Sequence, residues 1–572
     1  MKQKIIVTSM AVLTACIVLG LIFSRHVLPV SADDGVTIFD VSSDYLTPQQ
    51  FKAVGDGEHD DTEAFRQMFA AAYKEHSKLP SPPTQWFRCK PIYIPCGTYK
   101  ITGSIVDESL MTGDEKVRYA KFEVFGAGRE STKIKLIGKN KVLFNNQIST
   151  TTDTKVVFGF STFRDIGFEG DDDQTNTFMT MAASNLNSDG ISTDGVQRLQ
   201  FLNCGFYHFN KILECRDDAT QMLSEITFSY CKISDCGTTG NACKLFTLTD
   251  PQAVNWRFDY TDIESINGDI FYFKGATAVT LNGGSVIIHS GNVFNFEFGL
   301  NETTHGPGYG NSPQVLCDGT RFEIWNSSSL IKTTSKHKGY PKATFRSCVL
   351  NATYYDMKQG HKPTSNLFVI EGGIDALFDD CVACHEMRIS GTMNNLSKDL
   401  QPTLTFRDCT DINVDNLVAG SSYKGLYDEN HYMDTNNVRI IVDDSYDFYL
   451  YNNSFVHTVS GLNECRQRVK LGSGYNSFDL ESGTTVVAKP YGFVKYVELT
   501  VPKQNISGDV TLSLYETANG AHKKIGEDIK LTFESNHTHV IVVNDYVEQL
   551  QAEFSCSFNK KPASMNMTIV KY

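Results

Sequence analysis

Hydrophobic and polar positions alternate in short runs through the middle of the chain, and one run returns many times. Its clearest form is residues 201–206, in which an aromatic residue is followed three positions later by a cysteine and five positions later by an apolar residue. A repeat of roughly 23 to 38 residues indicates a solenoid, because each unit can bury its apolar face only against its neighbours. The anchor residues are Phe163, Phe201, Phe228, Phe258, Leu281, Phe345, Phe378 and Phe406, with residues 316–318 filling the long interval.

The period of the pattern identifies the kind of solenoid. Around each anchor the apolar residues recur at every second position, and residues 155–420 contain no useful run with helical spacing. This excludes helical repeats. Bends at the Asn, Asp and Ser positions would stack the Phe, then the Cys, then the next apolar residue in inward ladders. The sequence therefore predicts an all-β fold, a right-handed parallel β-helix.

Different patterns precede and follow the repeats. Ala64, Phe65, Met68, Phe69 and Ala72 form an apolar stripe with helical spacing, which predicts a helix that caps the open end of the solenoid. From Thr484 onward, short alternating strands with turn-prone connections predict a small β-sandwich, which would bind glycan, aid oligomerisation or simply cap the other end. The predicted boundaries are 1–32 for a signal peptide or membrane anchor, 33–140 for the cap and first rungs, 141–425 for the β-helix, 426–483 for a transition and 484–572 for the sandwich.

The first 32 residues predict export. Lys2 and Lys4 precede the apolar run 5–23, and residues 30–32 form a small-residue cleavage pattern before Asp33. The run is long for a signal peptide and just long enough to span a bilayer, so a retained anchor is the alternative. Either reading predicts a secreted or cell-surface protein, which would touch a membrane only through an uncleaved N-terminal segment.

The 15 cysteines raise the question of disulfides in an exported chain. Five of them occupy one repeat position, which predicts a ladder of buried thiols, although a bridge such as Cys204 to Cys231 is geometrically conceivable. Cys89 and Cys96 are the candidate disulfide. Residues 381–385 spell the CxxCH of haem attachment, but Cys381 already serves the ladder, so no haem is expected. The ladder members are Cys204, Cys231, Cys348, Cys381 and Cys409.

In each rung, the last strand before the loop to the next rung offers a surface for function. Its inward positions agree from rung to rung, so alternation turns the intervening side chains outward. The resulting row mixes acids, cations, an amide and an aromatic ring, as the binding of a glycan requires. The outward residues include Glu214, Arg216, Thr247, Tyr272, Lys274, Asn295, Glu297, Lys332 and Glu371, of which Arg216, Tyr272, Lys274, Asn295, Glu297 and Lys332 are the candidate substrate-binding residues.

Carboxylates at the ends of these strands are the candidates for catalysis. Asp217 aligns with Asp250 on the next rung, and carboxylates about 5 Å apart push one pKa upward. One could then act as general acid while its partner activates water or attacks carbon. A separation of about 5 Å suits a retaining pair, whereas Glu214 with Asp250 or Asp218 is an equally open pairing. Aspartate is also common where strands end in turns, which is the structural alternative.

Three strings near the N-terminus resemble the first block of the pectate-lyase-like superfamily. They are AVGDG-x-x-DDT-x-AF at residues 53–65, PIYIPCGTYKI at 91–101 and VFGAGREST at 124–132. The resemblance implies the parallel β-helix fold and a polysaccharide-acting enzyme. It also implies that Asp60 and Asp61 build the cap. Residues 187–190 and 217–218 are similar to the NTDG and DD strings of polygalacturonases, but the later Gly-His-Gly and Arg-Ile-Lys strings are missing.

The main functional hypothesis is a glycoside hydrolase that uses paired carboxylates. A polysaccharide lyase is the alternative, with Lys274, Arg216 or Lys332 neutralising a uronate and with Ca²⁺ as its cofactor, for which the loop 171–173 is a candidate; a hydrolase would need no cofactor. A non-catalytic glycan-binding or adhesive protein is the rival from another class. A net charge of −14 argues against nucleic acid as a partner. A homotrimer is one expectation for the assembly.

Overall fold

The computed structural model divides into two compact units, residues 1–45 and 46–572. The features described below all lie in the second unit. The described residues are 44–75, 77–78, 86–107, 119–147, 157–158, 161–182, 198–215, 224–248, 255–274, 277–297, 313–325, 328–334, 341–351, 367–383, 386–390, 402–410, 413–415, 439–443, 448–451, 465–471, 484–488, 492–504, 508–518, 521–547, 549–558 and 565–571.

Three parallel sheets form the sides of one long coil, and each turn of the coil adds one strand to each sheet. Sheet 1 contains Ile92–Ile94, Glu123–Gly126, Thr162–Arg164, Gln200–Leu202, Thr227–Ser229, Trp256–Asp259, Ala278–Asn282, Gln314–Asp318, Lys342–Arg346, Asp375–Asp379, Thr403–Arg407 and Arg439–Asp443. Sheet 2 contains Asp56–Asp60, Gly97–Ile101, Thr132–Leu136, Gly167–Glu169, Gly205–Tyr207, Lys232–Ser234, the first half of Asp262–Phe273, Ser285–Ser290, Arg321–Ile324, Val349–Asn351 and Val382–Ala383.

Sheet 3 follows sheet 2 in every turn of the coil. It continues past residue 425, since Phe448–Tyr451 pairs in parallel with both Asn413–Asp415 and Cys465–Leu471. Its strands are Val142–Gln147, Thr177–Ala182, Lys211–Cys215, Cys243–Leu248, the second half of Asp262–Phe273, Asn292–Phe296, Ser329–Thr333, Phe368–Ile370, Glu386–Ser390, Asn413–Asp415, Phe448–Tyr451 and Cys465–Leu471. A side sheet contains Ser77–Lys78, Trp86–Arg88, Tyr119–Lys121 and Val157–Phe158.

The register of sheet 1 confirms the repeat that the sequence predicts. All the anchors fall on a single ladder, in which Cys317 takes the position of the aromatic residue. Neighbouring rings stack along it, with centroids 4.7 Å apart for Phe201 and Phe228 and 4.9 Å apart for Phe228 and Phe258. Because these side chains are buried, the aromatic ladder forms a large part of the core.

From Thr162–Arg164 to Asp375–Asp379, a two-residue bend joins each sheet 1 strand to its sheet 2 strand, and this bend explains the cysteines. The first bend residue has a positive φ, as at Asn203 (51°), and the second points inward. The thiol of Cys231 donates to the carbonyl oxygen of Phe201 on the preceding rung at 3.3 Å. Thr261, at the same position one rung later, donates in the same way to Phe228 at 3.1 Å. The position therefore favours a small side chain with a donor, with Ile166 and Gly284 as the exceptions.

The predicted thiol ladder is confirmed, and the predicted disulfide is wrong. Cys204, Cys231, Cys348, Cys381 and Cys409 are buried thiols. Cys89 and Cys96 are also unpaired thiols, because Cys89 points into the core while Cys96 is exposed. Burial raises the pKa of Cys89 to about 12, so this thiol stays protonated and unreactive. Cys384 and His385, the rest of the haem-like string, lie outside the described residues.

The capping helix spans Thr62–Lys74, and its buried face contains the predicted apolar stripe. Phe65 packs edge-on against Tyr99 with centroids 5.2 Å apart. The carboxylate of Asp61 accepts hydrogen bonds from the backbone N–H groups of Val54 (2.7 Å) and Gly55 (3.1 Å). Asp60 accepts from the hydroxyl of Thr102 at 2.6 Å. Both aspartates thus build the cap, as the resemblance implies.

The C-terminal part is a sandwich of two antiparallel four-stranded sheets with its own apolar core. Cys465–Leu471 belongs to both parts of the molecule, since one edge pairs in parallel with Phe448–Tyr451 and the other pairs antiparallel with Met565–Lys571. The first sheet contains Cys465–Leu471, Met565–Lys571, Gly492–Val501 and His537–Val547, and the second contains Thr484–Ala488, Gln549–Phe558, Gly508–Ala518 and Ala521–Leu531.

The predicted fold class is confirmed in all three parts: the parallel β-helix, the N-terminal capping helix and the C-terminal β-sandwich. The predicted export segment lies outside the described residues. Within the part of the chain that the structure describes, no helix is long and apolar enough to cross a membrane.

Candidate functional site

The outward face of sheet 3 carries a row of polar side chains that we call the polar strip: Glu214, Thr247, Tyr272, Asn295 and Lys332. Strand register places each of them beside the next, from Glu214 and Thr247 through to Asn295 and Lys332. The residues directly before them in sequence are fully buried, as for Leu213, Phe246 and Phe271. The register predicted from the sequence is therefore present on all five rungs, although Thr247, Tyr272 and Asn295 are themselves buried.

The beginning of each sheet 3 strand adds a second polar row that the sequence pattern misses. Lys211, Lys244, Asp269 and Asn292 lie three positions before strip residues, where strict alternation would point them inward. The chain turns a corner here, and both of the next two residues, such as Ile212 and Leu213, are buried instead. A pair of adjacent apolar residues at the start of each strand is the signal that could have revealed this corner.

Tyr272 is the centre of the site. Its side chain is largely buried, and the ammonium nitrogen of Lys244 lies over its ring, 3.8 Å from the centroid. The ammonium nitrogen of Lys274 is 5.7 Å from the same centroid. The phenol hydroxyl hydrogen-bonds to the Oε2 atom of Glu297. The structure thus brings the predicted residues Tyr272, Lys274 and Glu297 into one cluster of cations, ring and carboxylate.

Asn295 lies one rung beyond Tyr272, and its side-chain amide oxygen is an unpaired hydrogen-bond acceptor among the described residues. Only 4% of its surface is exposed. Its amide nitrogen donates to Oδ2 of Asp269 at 2.7 Å, while Oδ1 of Asp269 accepts from the backbone and side-chain nitrogens of Asn292 at 3.1 and 2.6 Å. The buried Oδ1 of Asn295 has no partner among the described residues. A buried unpaired acceptor costs about 1–3 kcal/mol.

The two ends of the strip carry opposite charges. Glu214 forms an ion pair with Lys211 at one end. At the other end Lys332 is half-buried beside Asn295, and it forms no ion pair with any residue in the described ranges. A chain of sugars across these rungs would meet a carboxylate, a ring, an amide and a cation in turn.

Most of the predicted catalytic residues cannot be placed. Asp217, Asp218 and Asp250 lie outside the described residues, and so does Arg216. Glu214 is the described member of the set, and its strand pairs with that of Thr247 in the register that would align Asp217 with Asp250. The proposed carboxylate pair remains a prediction.

The acidic loop 171–173, which the sequence offers as a calcium site, has structural contacts. Asp171 accepts from the backbone N–H groups of Gly138 and Asp173, both at 2.8 Å. Asp173 forms an ion pair with Lys139 at 3.0 Å. Across the described ranges, no group of three or more His, Cys, Asp or Glu side chains is arranged to hold a metal ion.

Sheet 2 carries a second polar group that the sequence did not single out. The ring of His289 stacks on Trp325 with centroids 4.3 Å apart. Burial lowers the pKa of His289 although the carboxylates of Asp235 and Glu323 act in the opposite direction. The imidazole is therefore neutral at neutral pH.

No family model matches the sequence, and no curated protein matches it. Several solved structures resemble the chain at low identity. The A-module of the Azotobacter vinelandii mannuronan C-5 epimerase AlgE4 is 12% identical, with 73% of this chain and 97% of that chain covered and a TM-score of 0.43. The tailspike protein of Acinetobacter phage vB_ApiP_P1 is 13% identical, with 92% and 88% covered and a TM-score of 0.40. The catalytic unit of a GH87 α-1,3-glucanase from Streptomyces thermodiastaticus is 12% identical, with 73% and 71% covered and a TM-score of 0.37. At these identities and scores the likenesses carry no argument about the site.

Proposed function

We propose that the protein binds a polysaccharide across the strands of sheet 3 and cleaves it there. The observation that carries this proposal is the polar strip, whose five residues lie in register on consecutive rungs. Four steps of about 4.8 Å give a row roughly 19 Å long, which suits an extended polymer better than a small metabolite. The mixture of ring, amide, cation and carboxylate offers both stacking and hydrogen bonding to sugar rings.

Hydrolysis is the reaction that the carboxylates favour. One protonated carboxyl group would donate its proton to the glycosidic oxygen as the bond to the anomeric carbon breaks, and a second carboxylate would activate water or attack that carbon. Glu214 is one candidate, with Asp217, Asp218 and Asp250 as the others. The separation within the active pair would decide between retention at about 5 Å and inversion at about 6.5–9.5 Å.

Elimination from a uronate is the second candidate reaction, and the lysines favour it. Lys244 and Lys274 flank the ring of Tyr272, and Lys332 lies two rungs away. These ammonium groups would neutralise a uronate carboxylate and make the C5 proton easier to abstract.

The pair formed by Glu214 and Lys211 fits a surface that binds glycan without cleaving it, which is the third candidate.

One set of variants tests these candidates. Glu214→Gln, Asp217→Asn, Asp218→Asn and Asp250→Asn would be assayed against a panel of polysaccharides, together with wild type. We expect loss of at least one carboxylate to lower depolymerisation at least a hundredfold. New reducing ends without ultraviolet absorbance indicate hydrolysis, whereas the absorbance of an unsaturated uronate indicates elimination.

Asp375→Asn is the matched control, since Asp375 is a partly exposed carboxylate on sheet 1. It should leave activity unchanged. Full activity in all four site variants would remove these carboxylates from the mechanism. Wild-type protein that cleaves no glycan but binds one would favour the non-catalytic candidate.

A further inference from the structure

Two of the bends between sheets 1 and 2 begin with a tyrosine, a residue type for which the backbone conformation of the bend is unfavourable. Tyr230 and Tyr260 have φ values of 54° and 48°, in the left-handed region that a bulky side chain rarely adopts. The equivalent bends contain residue types that enter this region at lower cost. They are Asp165, Asn203, Gly283, Gly319, Ser347, Asp380 and Asp408. The two tyrosines are therefore not explained by the turn that they form.

The two rings form a rigid, exposed stack. Their centroids are 5.5 Å apart with an interplanar angle of 9°, and 62% of Tyr230 and 61% of Tyr260 is exposed. Gly283 on the next rung leaves room for the second ring, since a Cβ there would lie 2.9 Å from Cδ1 of Tyr260. The guanidinium of Arg129 donates to the carbonyl oxygen of Tyr230 at 3.2 Å and so fixes the first bend.

Polar groups surround the stack, and neighbouring residues hold them by hydrogen bonds. Asp259, which precedes Tyr260, accepts from Nε of Arg257 at 3.1 Å and from the amide of Asn282 at 2.6 Å. Asp262, which follows the bend, accepts from the hydroxyl of Ser285 at 3.0 Å. Neither tyrosine hydroxyl hydrogen-bonds to another residue in the described ranges, so both can exchange hydrogen bonds with a ligand.

We propose that Tyr230 and Tyr260 form a second glycan-binding site, for the pyranose rings of a neutral polysaccharide. The axial C–H groups of a pyranose would pack on the aromatic surface, whose face is electron-rich. The sugar hydroxyls would bond to the tyrosine hydroxyls and to the polar groups beside them. An anionic glycan fits less well, because the carboxylates of Asp259 and Asp262 lie beside the stack.

Two further observations support a glycan in place of a protein. A stable protein interface buries about 800 Å² on each partner, which two side chains cannot supply. Among the described residues of sheet 1, the exposed aliphatic side chains Leu202 and Leu316 are only 36% and 37% exposed. The stack lies at the corner shared by sheets 1 and 2, whereas the polar strip lies on sheet 3. It would thus hold the polymer without occupying the proposed site of cleavage.

Asparagine substitutions give a direct test, because asparagine tolerates the left-handed bend better than tyrosine does. Full-length protein and the double variant Tyr230→Asn/Tyr260→Asn would be run on native gels that contain a soluble β-glucan, xylan, galactomannan or dextran. We expect at least one polymer to retard the wild-type protein, and the double variant to bind that polymer at least about tenfold more weakly. The melting temperature of the variant should be equal to or above that of wild type.

Tyr546→Asn is the matched control, since Tyr546 is 52% exposed on the C-terminal sandwich and outside the stack. It should be retarded like wild type. The proposal is overturned if none of the four polymers retards wild type, if the double variant is retarded equally, or if the double variant changes the oligomeric state in place of glycan binding. The assay measures binding and not cleavage, so its outcome is independent of the carboxylates on sheet 3.

Discussion

At the scale of single residues, the ladder cysteines show which kind of side chain suits one repeated position of the coil. The ladder thiols donate to carbonyl oxygens on the preceding rung, as Cys381 does to Phe345 at 3.4 Å and Cys409 does to Phe378 at 3.4 Å. Threonine at residues 261 and 320 makes the same kind of contact with its hydroxyl. The position therefore favours a small side chain that can donate, although Ile166 and Gly284 show that the donor is not required.

This interpretation predicts a difference between two variants of the same size. Cys231→Thr should be more stable than Cys231→Val by about 1 kcal/mol, because only threonine can donate to the carbonyl oxygen of Phe201. Urea denaturation would measure the free energy of unfolding of both variants. As a control, Val286→Thr places a hydroxyl at a buried position of sheet 2 and should be destabilising. A valine variant that is at least as stable as the threonine variant would contradict the role of the donor.

At the scale of elements, charges on neighbouring strands of sheet 1 are arranged by register. Asp318, Arg346, Asp379 and Arg407 follow each other on one outward ladder with alternating sign. Nε and Nη2 of Arg407 hold the carboxylate of Asp379 at 2.9 and 3.0 Å. This guanidinium lowers the pKa of Asp379 below its usual value. The ladder joins successive strands on the solvent side.

The ion pair between Asp379 and Arg407 makes the free energy of unfolding depend on pH. Because the folded-state pKa of Asp379 is lowered, its contribution is fully present above its unfolded pKa of about 3.9 and is lost as the pH falls through the folded value. Arg407→Gln should therefore cost about 1 kcal/mol at pH 7, and this cost should shrink toward zero in acid. Chemical denaturation of both proteins, from pH 7 down into the acid range, would measure this difference in the free energy of unfolding.

Lys342→Gln is the control for that experiment, since Lys342 is an exposed cation on the same sheet without an ion pair among the described residues. Its effect on the free energy of unfolding should be small and independent of pH. A pH-independent cost for Arg407→Gln would show that the guanidinium acts by packing instead of charge.

At the scale of the whole molecule, the buried apolar side chains that the structure describes fall into two cores. One fills the β-helix beneath the capping helix, and the other lies between the two sheets of the C-terminal sandwich. The strand Cys465–Leu471 connects them through backbone hydrogen bonds on its two edges. We therefore expect this strand to couple the unfolding of the two parts.

Variants in either core should act locally. Phe206→Ala removes a ring that contacts four others in the β-helix and should cost about 3–5 kcal/mol, whereas Ile569→Ala should cost about 2–5 kcal/mol in the sandwich. Hydrogen exchange followed by mass spectrometry should show faster exchange in peptides from 160–300 for the first variant and from 492–571 for the second. Equal acceleration in both regions would contradict two cores.

The candidate site shows where alternation along a strand predicts the direction of a side chain and where it does not. Alternation placed Glu214, Tyr272, Asn295 and Lys332 on one face, because side chains of a strand must alternate wherever the strand is straight. It failed at Lys244 and Asp269, since a corner breaks the alternation and turns two successive residues inward. The contact between Lys244 and Tyr272 depends on that corner.

The sequence by itself determined the fold class, the anchor ladder and the inward cysteines, because these follow from a short period repeated many times along the chain. Only the tertiary structure decided that Cys89 and Cys96 point apart, that Asn295 keeps a buried acceptor and that Tyr230 stacks on Tyr260. These features depend on which residues successive coils bring into contact. The anchor pattern gives the register of the strands, but a local pattern of hydrophobic and polar residues does not encode which side chains then meet or which polar atoms stay unpaired.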